Sequence, residues 1–301
     1  MGKIIQQNMS TYSDVTLIVV CFKSEELIKS NLKELKKFKT IIVDNSNSKE
    51  TYNLVKHVTN IEYIKTKKNI GYGMANNLGV KHAKTPYIMI INPDVVVDSD
   101  SIRLLYEKYL NYKNVGIVAP SLYDTNNKRR TNGSISRLKK NKSKNLNVQN
   151  LAEGDTCYDF VVGCSLFMSR DFFIKIGGFD KDFFMYFEDN EICDKIYKNN
   201  RYILEIPDSK MVHKQGLSSN LDHFINIKLS IIHKISEYIY YRKNMSVIRL
   251  YLIIFRHFFD YSQRFIINLL LLRFKKSFQN LFRIISIILY ISKFYLILLK
   301  I

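Results

Sequence analysis

Proline is scarce in this chain: four in 301 residues, the last at Pro207. Glycine ends at Gly216, so residues 224–301 contain neither helix breaker and nothing there interrupts long helices. Cysteine is also sparse. Cys21, Cys157, Cys164 and Cys193 form no CxxC pair and have apolar or aromatic neighbours. Four buried free thiols in a reducing compartment are expected. Acidic residues are in deficit, with 27 Asp and Glu against 46 Lys and Arg and a formal net charge of +19. That balance points to an anionic partner: nucleic acid, anionic lipid or a phosphorylated substrate. Residues 1–13 lack an apolar core, so no signal peptide is expected. Internal repeats are not evident.

What is present is an alternation. Residues 15–21 (VTLIVVC) form an apolar run of the kind buried on both faces of a parallel sheet. Residues 24–37 read as a helix with Leu27, Ile28, Leu32 and Leu35 on one side. Strands are expected at 40–43, 61–64, 87–91, 115–119 and 202–206. Helices are expected at 51–58, from the Asn69–Gly73 turn through Ala83, at 101–112 and at 171–176. Strand-like character returns across 158–169, around Gly163. This is the pattern of a mostly parallel α/β sheet, in which ligands sit beyond the carboxyl ends of the strands. Polar residues gather at those ends: Lys23, Ser24, Asp44, Asn45, Asn69, Asn92 and Asp94. Residues 124–155 are polar, basic and aperiodic, either a mobile functional loop or partly disordered.

The stretch Phe183–Glu191 (FFMYFEDNE) holds adjacent carboxylates, Glu188 and Asp189, after an aromatic run. Burial beside aromatics raises a carboxyl pKa, which suits a general base. Ile192 and Ile196 suggest that a helix starts near Glu188, where acids also complement the helix dipole. Asp98 and Asp100 read as capping or solvated acids.

Residues 224–301 carry thirteen Lys and Arg against Glu237 and Asp260, on a background of Ile, Leu, Phe and Tyr. Long basic helices with broad apolar faces suit the plane of an anionic membrane surface. Residues 284–299 approach spanning length, but Lys293 interrupts them, which favours an interfacial position. Nucleic acid is the rival anionic partner. It would want clustered bases with exposed aromatics and fewer aliphatics, so no nucleic-acid partner is expected.

Taken in order, several short motifs resemble the inverting glycosyltransferases of family 2, over residues 14–220 and with the rhamnosyltransferase-like branch as the nearest pattern. They are Val43-Asp44-Asn45-Ser46, Asn69-Ile70-Gly71 with Ala75-Asn76-Asn77-Leu78-Gly79, Asn92-Pro93-Asp94, Gly177-Gly178-Phe179-Asp180, Glu188-Asp189, and His213 followed by Gly216 and Ser218. Each is weak alone. The chain departs from the pattern at Phe22-Lys23, where Tyr-Asn is commoner, and at Glu191, where the branch usually has Asp. The resemblance implies a GT-A nucleotide-diphospho-sugar transferase fold, a Rossmann-like mostly parallel sheet, over residues 1–220. Residues 221–301 would then be a helical, membrane-associated extension. It implies that Asp44, Asn69, Gly71, Asn92 and Asp94 hold a nucleotide sugar, with Asp44 on the base and Asn92 on the ribose. Asp94 and His213 would hold Mg²⁺ or Mn²⁺. Asp189 would act as the general base, with Glu188 orienting the acceptor or supporting it. The implied partners are a dTDP- or UDP-sugar donor and a lipid-linked glycan acceptor, at the cytoplasmic face of the membrane. The rival reading is a non-catalytic membrane-surface or polyanion-binding protein that keeps the fold.

Overall fold

The structure is a computed structural model that describes residues 13–46, 48–130, 132–134, 153–214 and 223–292. It divides into two compact units. One comprises Met1–Asp180 and Glu188–Asn220, the other Lys181–Phe187 and Leu221–Ile301.

The first unit is built on a nine-stranded sheet. Strands β1 (Val15–Cys21), β2 (Lys39–Asp44), β3 (Ile61–Lys65) and β4 (Tyr87–Ile91) are mutually parallel, in the order β3-β2-β1-β4. Every residue of β1 is buried, as its unbroken apolar run requires of a strand covered on both faces. Edge strand β3 is only half-buried. The crossovers are α1 (Glu25–Leu35), α2 (Lys49–Val55) and α3 (Tyr72–His82). Ser48 starts α2 by accepting the N–H groups of Glu50 and Thr51. Helix α4 (Ser99–Asn111) is capped by Asp98, whose Oδ2 accepts from Ser101 N at 2.8 Å. Asp98 is thus a capping acid, as its position outside the motif implied.

Beyond α4 the sheet is no longer purely parallel. Strand β5 (Val115–Tyr123) does not lie next to β4. β10 (Ser165–Ser169) runs between them, antiparallel to both. β11 (Tyr202–Val212) pairs parallel to β5, and β8 (Thr156–Tyr158) closes that edge antiparallel. The register of β11 shifts between Ile206 and Lys210, where Pro207 offers no N–H to a ladder. Short strand β6 (Arg129–Arg130) pairs with β5, and β7 (Gly133–Ser134) with β9 (Phe160–Val161). The strand-like stretch 158–169 is therefore three separate strands and not one. Cys157 stands exposed on edge strand β8, a correction to the expectation of four buried thiols, because an edge strand turns alternate side chains to solvent. Helices α5 (Arg170–Lys175) and α6 (Glu188–Lys198) complete the unit.

The second unit contains α7 (His223–Asn244), α8 (Val247–Leu270) and α9 (Phe274–Ser292) around Tyr238, Leu250, Ile254, Tyr261 and Ile287. Residues 181–187 belong to it. Ser236 Oγ donates to Met185 O at 2.8 Å, and Asp182 lies 2.9 Å from Lys243 Nζ and 3.3 Å from Arg242. Among the described residues no helix is long and apolar enough to cross a membrane.

Candidate active site

The ends of β1, β2 and β3 are tied by Asp44 and Asn45. Asp44 is fully buried, and its carboxylate takes four donors. Ser46 N (2.7 Å) and Ser46 Oγ (2.6 Å) reach Oδ1, while Ser48 N (2.9 Å) and the Tyr63 hydroxyl (2.7 Å) reach Oδ2. Those donors fill its lone-pair sites. Burial and the Asp44 charge together push the Tyr63 phenol well above its ordinary range. Asp44 therefore shapes the loop after β2. Asn45 reaches the next turn: Nδ2 donates to Gly71 O at 3.1 Å and Oδ1 accepts from Ile70 N at 3.4 Å. Asn69 Oδ1 in turn accepts from Gly71 N at 2.9 Å. Gly71 has φ +84°, open to glycine without strain, at the entrance to α3.

Asp94 lies after β4 and is 3% exposed, yet its buried Oδ1 accepts no hydrogen bond. His213 Nε2 stands 3.4 Å away, close enough to attract but not aligned to donate. The backbone brings the two together: Val96 N donates to Val212 O and Lys214 N to Asp94 O, both at 2.8 Å. The His213 Nδ1 and Asn92 Oδ1 atoms are also buried without a partner. A buried carboxylate oxygen left unsatisfied is costly unless something occupies it. One carboxylate and one imidazole fit a divalent ion whose other ligands are phosphate oxygens and water, and the imidazole favours Mn²⁺ over Mg²⁺. No group of three or more metal-ligating side chains exists among the described residues.

Asn31 holds this turn, and sequence reasoning missed it. It sits on the buried face of α1 between Ile28 and Leu35. Its Nδ2 donates to Pro93 O (3.0 Å) and Val95 O (2.9 Å), and its Oδ1 accepts from Val97 N at 3.0 Å. The available signal was an amide on an apolar helical stripe, which a buried site tolerates only with partners.

Glu188 and Asp189 open α6. Two residues in left-handed conformation, Tyr186 (φ +69°) and Phe187 (φ +68°), lead into it. Each costs about 1 kcal/mol or more, so the carboxylates are aimed at some expense. Glu188 is 6% exposed, with Oε2 unbonded. Burial first, then the neighbouring Asp189 charge, pushes its pKa up to about 8. Around neutral pH Glu188 therefore tends to keep its proton. Asp189 Oδ1 accepts from Asn190 N at 2.9 Å and Oδ2 from Gly163 N at 3.3 Å.

Helix α3 braces the acids. Asn77 exchanges two bonds with the Phe179 backbone, Nδ2 to O at 2.7 Å and N to Oδ1 at 2.9 Å. A side chain at Gly73 would meet Phe179 Cβ at 2.8 Å and Glu188 Cβ at 3.6 Å. The Tyr72 hydroxyl donates to Gly163 O at 2.7 Å. One short segment joins both halves of the site. Gly163 N meets Asp189, and Cys164 O accepts from Asn92 N at 2.8 Å. The Cys164 thiol is pushed up by burial and by the charges of both Asp94 and Asp189. The sequence-predicted residues thus form two clusters about one strand entrance: Asn92, Asp94 and His213, and Glu188 with Asp189. Asp44, Asn69 and Gly71 shape the adjoining turns. Gly216 and Ser218, and residues 135–152, lie outside the described residues.

Residues 16–177 match the sequence model described as Glycosyl transferase family 2. The low-salt glycan biosynthesis hexosyltransferase Agl10 of Haloferax volcanii is 28% identical over 227 residues, 70% of this chain and 70% of that one. The rhamnosyltransferase WbbL of Escherichia coli K12 is 27% identical over 202 residues, 60% of this chain and 75% of that one. Among solved structures, the mannosyltransferase PcManGT of Pyrobaculum calidifontis, in complex with GDP-Man and Mn²⁺, superposes with a TM-score of 0.53 at 18% identity. That match covers 77% of this chain and 65% of the other. S. aureus TarS residues 1–349 give a TM-score of 0.52 at 14% identity, covering 93% and 92%. The fold is GT-A, an α/β sheet with helices, as the motif order implied.

Proposed function

Because this chain belongs to glycosyl transferase family 2, we propose that it transfers a hexose-type sugar from a nucleotide diphosphate to a hydroxyl of a lipid-linked glycan, with inversion. The observation that carries this reading is the Gly163–Cys164 segment, bonded at one end to Asp189 and at the other to the Asn92 turn. It supports a donor side and an acceptor side that face a common space. WbbL is a rhamnosyltransferase and Agl10 a hexosyltransferase, which favours dTDP-rhamnose or a UDP-sugar as donor.

Asp94 and His213 would hold the divalent ion, with Asn92 beside them on the ribose. When bound, that ion offsets charge on the departing diphosphate. Asp44, Asn69 and Gly71 set the loops against the nucleotide. Asp189 takes the proton of the acceptor hydroxyl as that oxygen attacks the anomeric carbon from the side opposite the diphosphate. One displacement inverts the centre, and no enzyme nucleophile forms a bond. Glu188, whose pKa burial raises, donates a hydrogen bond to the acceptor.

The acceptor would be met at the cytoplasmic face of the membrane. The support is the surface of α8, where Ile248, Leu252 and Phe255 are 76%, 65% and 63% exposed. So much exposed apolar surface marks a partner, and the thirteen bases of residues 224–301 suit an anionic bilayer.

The test is a thermal-shift panel of nucleotide sugars with Mg²⁺ or Mn²⁺, followed by transfer assays with Asp189→Asn. One donor should raise Tm only with metal. The variant should lose about 10²–10⁴-fold in turnover while binding that donor normally. Retention of more than about a tenth of turnover would remove Asp189 as the base.

A further inference from the structure

The three C-terminal helices line an open cavity of about 580 Å³ that the proposed reaction does not use. Its size is that of a small-molecule site. Its wall is cationic: Lys234 comes from α7, Arg256 and Arg264 from α8, and Arg283 from α9, with His233 and His257 beside them. Asp260 is the single acid among the lining residues, and it pairs with Arg264 at 2.9 Å. Lys234 is matched by Glu237 at 2.5 Å. Arg256 and Arg283 make no ion pair with any described residue. Two guanidinium charges therefore remain for a ligand. Tyr261 holds the wall together, with Lys234 Nζ at 5.4 Å and the Arg283 guanidinium at 5.3 Å from its ring centroid.

The ligand class follows from three features. Paired arginine forks match the oxygens of phosphate and diphosphate. On α8 the lining residues Arg256, His257, Asp260, Tyr261 and Arg264 recur at three- and four-residue spacing and share one face. The exposed Ile248, Tyr251, Leu252, Phe255 and Phe259 occupy the opposite face. The cavity is thus turned away from the apolar surface and receives a charged group, not an acyl chain. The third feature is His233, whose ring lies 5.1 Å from that of Tyr186 and 5.3 Å from that of Phe187. Both rings come from the segment 181–187 of the same unit, so the cavity wall also packs that segment against α7.

We propose that this cavity binds the phosphate or diphosphate of the acceptor, the charged end of a lipid-linked glycan. The inference rests on the acceptor proposed above. A phospholipid headgroup of the bilayer carries related chemistry, and the test separates the two.

Full-length protein is titrated calorimetrically with inorganic pyrophosphate in EDTA, which silences the metal-dependent donor site. The wild type should bind, and the Arg256→Ala/Arg283→Ala double variant should bind at least about tenfold more weakly. Both arginines are exposed, so their removal opens no core. Arg256→Lys/Arg283→Lys should recover part of the affinity. Donor hydrolysis should be unchanged in the alanine variant and flotation on phosphatidylglycerol vesicles should persist through the remaining eleven bases and the apolar face of α8, while KM for a diphosphate-linked acceptor rises. Equal pyrophosphate affinity in variant and wild type overturns the proposal. Lost flotation with an unchanged KM for the diphosphate-linked acceptor also overturns it, by assigning the cavity to bilayer phospholipid. Pyrophosphate binding by a wild type that turns over no nucleotide sugar would uphold the anion site and sink the glycosyl-transfer reading instead.

Discussion

Gly163 and Asp189 fit together only because one of them has no side chain. The Gly163 N–H donates to Asp189 Oδ2 at 3.3 Å, and a Cβ at position 163 would meet Asp189 Cβ at 2.9 Å. Gly163→Ala should therefore displace the carboxylate without touching the donor residues. A shift of about 1 Å at a reacting group can cost about 10²-fold, so kcat should fall by about 10- to 100-fold with donor KM near that of the wild type. Steady-state kinetics decide it, and an unchanged kcat would show that the position of Asp189 does not matter.

Glu188 makes stability depend on pH. Its folded pKa is raised above the ordinary value of 4.5 to about 8, so between those values the folded state holds a proton that the unfolded chain releases. Its stabilising contribution is complete below the unfolded pKa and is lost as pH rises through the folded one. Tm should fall between pH 6 and pH 9, and fall less in Glu188→Gln, which keeps a neutral group there. Parallel slopes in the two proteins would contradict the raised pKa.

Asp94 offers a buried oxygen with no hydrogen bond beside His213. Asp94→Ala should weaken donor binding at least about tenfold in Mn²⁺ and little in EDTA. Calorimetric titration under both conditions checks this. If EDTA leaves wild-type affinity and activity untouched, these two residues hold no ion.

Asn31→Leu preserves volume but removes all three bonds to the turn around Asp94. The buried N–H of Val97 and two carbonyls lose their partner, at about 1–3 kcal/mol for an unsatisfied buried group. Urea unfolding should show a loss of about 2 kcal/mol or more, and donor affinity should drop with it. Normal donor binding in a destabilised variant would make Asn31 a folding residue alone.

Replacing Ile248, Leu252 and Phe255 together by serine should abolish flotation on anionic vesicles and leave donor hydrolysis intact. The motive is their exposure on one face of α8. Wild-type protein that fails to float would reassign this face to a protein partner.

Much of the first unit was legible because its strands are buried on both faces and their apolar runs are local signals. β1 and β4 have the bounds that the runs imply. Asp94 and Glu188–Asp189 stood out because charge beside an apolar or aromatic run is rare. The rest is tertiary. Nothing near Asp44 tells that Tyr63 and Ser48 occupy its oxygens, since Tyr63 lies one strand away. Asn31 and Asn77 act on backbone far along the chain. The stretch 158–169 showed strand-like character around Gly163, but its division into the end of β8, β9 and β10 depends on three different pairing partners.

The insertion of β10 between β4 and β5 has a consequence for the order of assembly. Residues 165–169 pair with residues 87–91, so the centre of the sheet cannot close until much of the chain has been synthesised. β1 to β4 need only local crossovers and can form early. Until β10 arrives, β4 has an open edge of unpaired N–H and C=O groups, the kind of template on which another chain adds a strand. Closing it is a long-range step, like the pairing of β11 with β5, and unlike the local crossovers of β1 to β4. The partly made protein is therefore most prone to aggregation after β4 has formed and before β10 is in place.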